Sequence, residues 1–339
     1  MNSGVKLSIC VVTYNHKDYI AQALDSFLMQ KTNFKFQVIV GDDCSTDGTT
    51  EILKEYAKKY PDIIKPIFRE KNIGATKNSL EVYSNAKTPY VAICEGDDYW
   101  IDEYKLQKQV DFLETHPDYS ICFHPVKVVY DGFDFEKTDE IYPTQKMIES
   151  GTTFELLLKG NFIQPASAVY RWMFNQTNTR QYFLDISPGD WFISLLHAKE
   201  GKIKMLPEIM AVYRRHPQGV WSDPIKSLDR LFVKWGLHLV NFYYSVYKNI
   251  TNSSQVYLQD MFLPNLKSIM NAYYRNKKFK ELQTIEELYP TYLNMISLDE
   301  KFDERLNKFK TKYKKYKKLS RIALAVIIVQ MFVIVAFVV

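Results

Sequence analysis

The chain has 339 residues, 46% of them apolar, enough for one catalytic domain of ordinary size with a full core plus an appendage. Its net charge of +5 is local: Lys310, Lys312, Lys314, Lys315, Lys317, Lys318 and Arg321 stand together without an acid, and the remainder is slightly acidic. A uniformly basic nucleic-acid-binding surface is thereby excluded. Four cysteines without CxxC spacing, Cys10, Cys44, Cys94 and Cys122, read as free thiols in a reducing compartment. The N-terminus lacks the charged and apolar regions of a secretory signal, so the catalytic part is expected to be cytosolic. In chain order, apolar residues 7–12 predict a first strand, and 19–30 have helical spacing. Residues 36–40 predict a second strand, followed by a helix that starts at the turn 47–50 and is stopped by Pro61. Strand 64–68, helix 77–84, strand 90–94, helix 104–114 and strand 119–124 follow. Strand and helix signals alternate throughout this stretch, which predicts a doubly wound α/β sheet. Beyond it the pattern loosens, with a short helix at 154–158, a strand at 166–170 and a helix at 191–198. From 228 to 318 only helical periodicity is visible.

Two acidic clusters punctuate this plan. Asp42, Asp43 and Asp47 follow the second strand, and Glu95-Gly96-Asp97-Asp98 follows the strand at 90–94. Oxygen-rich loops at strand ends suit hard divalent cations shared with phosphates. In an open parallel sheet, ligands bind outside the carboxyl ends of the strands, so the two loops are expected side by side as a nucleotide-plus-metal site.

The strings Leu7-Ser8-Ile9-Cys10-Val11-Val12-Thr13-Tyr14-Asn15, Gly41-Asp42-Asp43-Cys44-Ser45-Thr46-Asp47-Gly48-Thr49, Asn72-Ile73-Gly74 with Lys77-Asn78, and Glu95-Gly96-Asp97-Asp98-Tyr99-Trp100 resemble, in order and spacing, the family 2 glycosyltransferases. The resemblance extends through Gly189-Asp190-Trp191 and Tyr213-Arg214-Arg215-His216. It implies a GT-A fold, a Rossmann-like mixed sheet that binds a nucleotide-sugar, and inverting, metal-dependent transfer with Mn²⁺ or Mg²⁺.

By the resemblance, Asp98 is the first choice for direct cation ligation, with Asp97 reaching ribose or metal through water. Glu95 stands where many relatives carry Asp. Thr13, Tyr14, Asn15 and Asp43 resemble the nucleotide-binding groups: the tyrosine ring would stack on the base, and the carboxylate would accept from a ring N–H, which favours uracil. Asp42 would contact ribose or hold the loop, and Lys77 would reach base or phosphate. Asp190 is the candidate general base, as an inverting displacement needs a carboxylate to take the acceptor hydroxyl's proton. Its bland alternative is an N-cap aspartate, and Asp185 is the reserve. His216 would complete the metal shell or touch the diphosphate, and Arg214 or Arg215 would pair with phosphate.

The implied partners are a nucleotide-sugar, a UDP-sugar first, and a glycan or lipid-linked acceptor such as a polyprenyl-diphosphate oligosaccharide or a lipopolysaccharide core. Residues 1–222 form the expected catalytic domain and 223–318 a helical extension through which a homo-oligomer can form. Residues 319–339 are expected to form a membrane anchor, with a helix inserted obliquely or lying at the interface, or a buried oligomerisation helix, as the alternatives, since the eighteen residues from Ile322 to Val339 hold only Gln330 as a strongly polar member. As a helix these would extend roughly 27 Å, just enough for a ~30 Å hydrocarbon core. The adjoining lysines favour the cytoplasmic face of the cell membrane. A nucleotidyltransferase would carry a glycine-rich basic loop where Val12-Thr13-Tyr14-Asn15-His16 stands. A non-catalytic scaffold would not need all four of Asp43, Asp97, Asp98 and Asp190.

Overall fold

The computed structural model describes residues 4–133, 140–174, 186–219, 227–293 and 295–296. The expected anchor at 319–339, the basic run and Asp185 lie outside them. Strand β1 (Val5–Thr13) is buried on both faces from Leu7 to Val11, which a central strand covered by helices requires. Beside it run β2 (Lys35–Asp42), β3 (Ile64–Phe68) and β4 (Tyr90–Ile93), joined by the helices Ile20–Leu28, Thr49–Lys59 and Ala75–Asn85. The first of these helices buries Ile20, Leu24 and Phe27, one stripe at helical spacing, against the sheet.

Strands β5 (Tyr99–Trp100), β6 (Tyr119–Phe123), β7 (Val126–Tyr130), β8 (Glu140–Tyr142), β9 (Val169–Arg171), β10 (Lys202–Met205) and β11 (Ala211–Arg215) complete two sheets. The larger has seven strands in the order β10-β6-β9-β4-β1-β2-β3. It is mixed, because β9 runs antiparallel to both β4 and β6 while the other pairs are parallel. The strands that carry the two acidic loops, β2 and β4, lie on either side of β1. Both loops nevertheless hang from its end: Asp43 donates its N–H to the Thr13 carbonyl and Gly96 to that of Val12, each at 3.0 Å.

A second sheet, β5-β11-β7-β8, stands beside the first. The sequence reading left it out. It puts Arg214 next to the acidic loop, because β11 pairs antiparallel with β5, which directly follows that loop. The helical part packs on the sheet unit through the helix Gly189–Glu200, whose Trp191 ring lies 4.6 Å from Phe242 of the helix Leu228–Ser245. Among the described residues no helix is long and apolar enough to cross a membrane.

Candidate active site

The segment after β1 is pinned to the loop after β2. Asn15 adopts φ 55°, donates its N–H to Ser45 Oγ at 2.9 Å and accepts from the Thr46 N–H at 2.9 Å. The Lys17 N–H adds a bond to Asp47 Oδ2 at 2.9 Å. Asp42 points into its own loop, where it accepts from the hydroxyls of Ser45 and Thr50. Asp43 accepts from the N–H groups of Ile73 and Gly74 at 2.8 and 2.9 Å, which fixes the start of the helix Ala75–Asn85. Lys77 is exposed in the first turn of that helix. Tyr14 is 46% exposed at the mouth of this half, whereas Thr13 is buried with an unpartnered Oγ1.

The second acidic loop packs under these residues. Gly96 has no room for a side chain, since a Cβ there would meet Thr13 Oγ1 at 2.9 Å and His16 Nδ1 at 3.1 Å. Asp97 Oδ2 lies 3.0 Å from His216 Nε2 and 3.7 Å from His16 Nε2. Burial acts upward on the Asp97 carboxyl, but the His216 bond and the two imidazoles prevail and hold it below the ordinary carboxylate range. Asp98 is deeper and accepts from the Arg214 N–H at 2.8 Å. Burial, then the charges of Asp97 and Glu95, push its carboxyl well up. Glu95 is pushed up to about 8 by burial, Asp97 and Asp190.

These residues fit a divalent cation. Glu95, Asp97 and Asp98 offer oxygens within 4.8 Å of one another, and Asp97 Oδ1 and Asp98 Oδ2 are buried without a partner. Unpaired buried acceptors crowded together are costly unless a cation or donor meets them.

The neighbouring arginines separate by strand alternation. Arg214 is buried, donating to the Asp97 carbonyl and to Gln22 Oε1, each at 2.6 Å, and stacking on Tyr19 and Tyr99. Arg215 faces a cleft of about 1090 Å³, and its Nε has no partner.

Asp190 and Glu95 line the same cleft, together with Asn161, Gln218 and Trp235. Asp190 occupies the first turn of the helix Gly189–Glu200, one residue inside its start, and the N-cap position belongs to Pro188. Asp190 Oδ2 accepts from Asn161 Nδ2 at 3.1 Å. Burial raises its proton affinity above the ordinary carboxylate value, against the downward pull of the backbone N–H groups and Asn161. A carboxylate so placed, half-buried beside a cleft, is suited to take up a proton.

The structure thus brings Asp97 and His216 together with Asp98 beside them, puts Asp190 on the cleft that Glu95 of the same loop lines, and sets Thr13, Tyr14, Asn15, Asp42 and Asp43 at the ends of β1 and β2, with Lys77 in the first turn of the helix Ala75–Asn85. Sequence reasoning missed His16 and Asn161. His16 directly follows the Thr13-Tyr14-Asn15 string, while nothing local marks Asn161.

The sequence model of "Glycosyl transferase family 2" matches residues 8–217. An uncharacterized protein of Mycobacterium bovis is 45% identical over 217 residues, 64% of this chain and 61% of that protein. The match thus spans under two thirds of that relative's length. Among solved structures, S. aureus TarS 1-349 in complex with UDP-GlcNAc superposes with a TM-score of 0.52 at 18% identity, covering 84% of this chain and 92% of that one. The mannosyltransferase PcManGT of Pyrobaculum calidifontis, in complex with GDP-Man and Mn²⁺, gives a TM-score of 0.50 at 16% identity, covering 86% and 83%.

Proposed function

The chain belongs to glycosyl transferase family 2, and from that premise we propose that it moves a sugar, with inversion, from a nucleotide-sugar donor to a hydroxyl of a glycan acceptor. The observation that carries this reading is that Asp190 lines one cleft with Arg215 and with Glu95, the first residue of the Glu95-Gly96-Asp97-Asp98 loop, so that a proton acceptor shares its cleft with the edge of the acidic loop. TarS holds UDP-GlcNAc and PcManGT holds GDP-Man. The same donor class is proposed here, with a UDP-sugar first because Asp43 retains acceptor capacity for a ring N–H beyond its two backbone bonds. Tyr14 stacks on the base from its exposed position, and Thr13, Asn15, Asp42 and Lys77 shape or line the nucleotide side.

In the transfer, the acceptor hydroxyl gives its proton to an Asp190 oxygen as its own oxygen bonds to the anomeric carbon. The bond from that carbon to the diphosphate oxygen breaks on the opposite face, and the electron pair leaves with the nucleoside diphosphate. Asn161 fixes the orientation of Asp190. Arg215 is the phosphate-side arginine, because Arg214 is occupied by Asp97 and Gln22. Asp97 and His216 would hold a divalent cation, Mn²⁺ or Mg²⁺, with Asp98 behind them, and the ion when bound supplies Lewis-acid neutralisation of the leaving diphosphate. This order reverses the sequence-based preference for Asp98, one of whose oxygens is taken by the Arg214 N–H.

The apolar stretch at 322–339 and its lysines support a cytoplasmic-face anchor and a lipid-linked acceptor, since confinement to the bilayer raises effective concentration. Purified protein with Mn²⁺ or Mg²⁺, offered UDP-, GDP- and dTDP-sugars, should release nucleoside diphosphate from one class. Release of pyrophosphate or of nothing across the panel would contradict the reading.

A further inference from the structure

We propose that His16 is a direct ligand of the cation centre, which makes that centre a two-imidazole, one-carboxylate site selective for Mn²⁺ or Co²⁺ over Mg²⁺. The proposal rests on the reading of Asp97 and His216 as a cation site and extends it to a residue and a metal class.

His16, Asp97 and His216 each present a ligand atom within 4.8 Å of the others. Around one ion, with bonds of roughly 2.1 Å, ligand atoms lie no more than about 4.2 Å apart, so the three need only a small closure. The Asp97 oxygen stands between the imidazoles, 3.0 Å from His216 Nε2 and 3.7 Å from His16 Nε2. The longer separation is too great for a hydrogen bond. His16 Nδ1 is buried with no partner either. A structural histidine buried beside a carboxylate would ordinarily close one of these contacts, and this one closes neither. His216, by contrast, has its Nδ1 fixed by Gln218 Oε1 at 3.0 Å, as metal-bound imidazoles commonly have their second nitrogen fixed.

The His16 backbone is preorganised from both sides. Its carbonyl accepts from the N–H groups of Tyr19 and Ile20 at 2.9 and 2.8 Å, and its neighbours Asn15 and Lys17 are tied to Ser45 and Asp47. Gly96 passes so close to the ring that no other residue type fits there without displacing it. An imidazole held that firmly at the edge of a carboxylate site is a ligand position. The choice of ion follows from the donor set: oxygen-only sites suit Mg²⁺, whereas each imidazole shifts preference toward later divalent ions.

The test is metal binding by the full-length protein, with no turnover required. Pulsed electron paramagnetic resonance on the Mn²⁺-loaded wild type should detect nitrogen coupling from two imidazoles, and calorimetry should show Co²⁺ and Mn²⁺ binding at least tenfold tighter than Mg²⁺. In His16→Gln, one nitrogen coupling should vanish and Co²⁺ affinity fall on the order of tenfold or more, with UDP-induced stabilisation checking that the variant is folded. Coupling from a single imidazole in the wild type overturns the proposal without recourse to any variant, and so does an unchanged Co²⁺ affinity in folded His16→Gln. Asp97→Asn separates the two levels. If it leaves Mn²⁺ binding intact, the cation-site reading itself fails; if it abolishes binding while His16→Gln does not weaken it, only the role of His16 fails.

Discussion

His197 makes the helix that carries Asp190 sensitive to acid. Its ring is buried among Tyr170, Trp172 and Phe174, with centroids 4.9, 5.2 and 5.4 Å away, and only Nδ1 is bonded, to the Ile193 carbonyl at 2.9 Å. Burial pushes its pKa from 6.5 down to about 4. Above pH 6.5 the ring is neutral in both folded and unfolded chains, so nothing is lost. Between 6.5 and about 4 the unfolded chain binds a proton that the folded one refuses, and stability falls as pH falls. At about 1.4 kcal/mol per pH unit, the gap corresponds to a loss of about 3 kcal/mol. The side chain is fully buried, so no discount for solvent screening applies. Denaturant midpoints measured from pH 7.5 to 4 for wild type and His197→Leu test this, because contributions from the carboxylates cancel in the difference. The wild type should lose about 3 kcal/mol more than the variant over that range. Parallel pH profiles would refute a buried neutral His197.

Asp190→Asn should lower kcat by about 10²- to 10⁴-fold while leaving donor binding unchanged, and loss of donor affinity at full rate would remove Asp190 from the role of base. Because burial raises the Asp190 pKa and a base works only when deprotonated, the acid limb of kcat should rise with pH above the ordinary carboxylate range; a limb at the usual carboxylate pKa would contradict that. Asp43→Ala removes the acceptor of the Ile73 N–H and leaves the Gly74 N–H to Asn72 Oδ1 alone, and should raise the donor KM by roughly tenfold with little change in kcat, read from steady-state kinetics. Gly96→Ala drives a methyl to within 2.9 Å of Thr13 Oγ1 and should cost about 1–3 kcal/mol in thermal unfolding and weaken Mn²⁺ binding. A variant with unchanged melting and metal affinity would show that the loop has slack.

The sequence carried the parts of the site that are local. Apolar runs mark β1, β2 and β4, the last two leading into carboxylates, and the helix expected at 77–84 is the core of Ala75–Asn85. The second sheet escaped because β5 has two residues and pairs with β11, more than a hundred positions away, so its signal is long-range pairing with no local period. Arg214 and Arg215 are adjacent in sequence, and only strand alternation in the folded sheet tells the buried one from the cleft-facing one. Asn161 and His16 acquire meaning from Asp190 and Asp97, which reach them only after folding. The bonds of Asp42 depend on the Ser45 and Thr50 hydroxyls turning back toward it, a feature of turn geometry that the acidic string alone does not specify.

The anomeric configuration of the glycoside formed tests the central claim most directly. With the active donor from the nucleotide-sugar panel and a set of simple glycoside acceptors, proton NMR of the isolated product reads the new linkage. A single displacement with Asp190 as base predicts that an α-linked donor gives a β-linked product, absent in Asp190→Asn. An α-linked product from that donor would contradict the account.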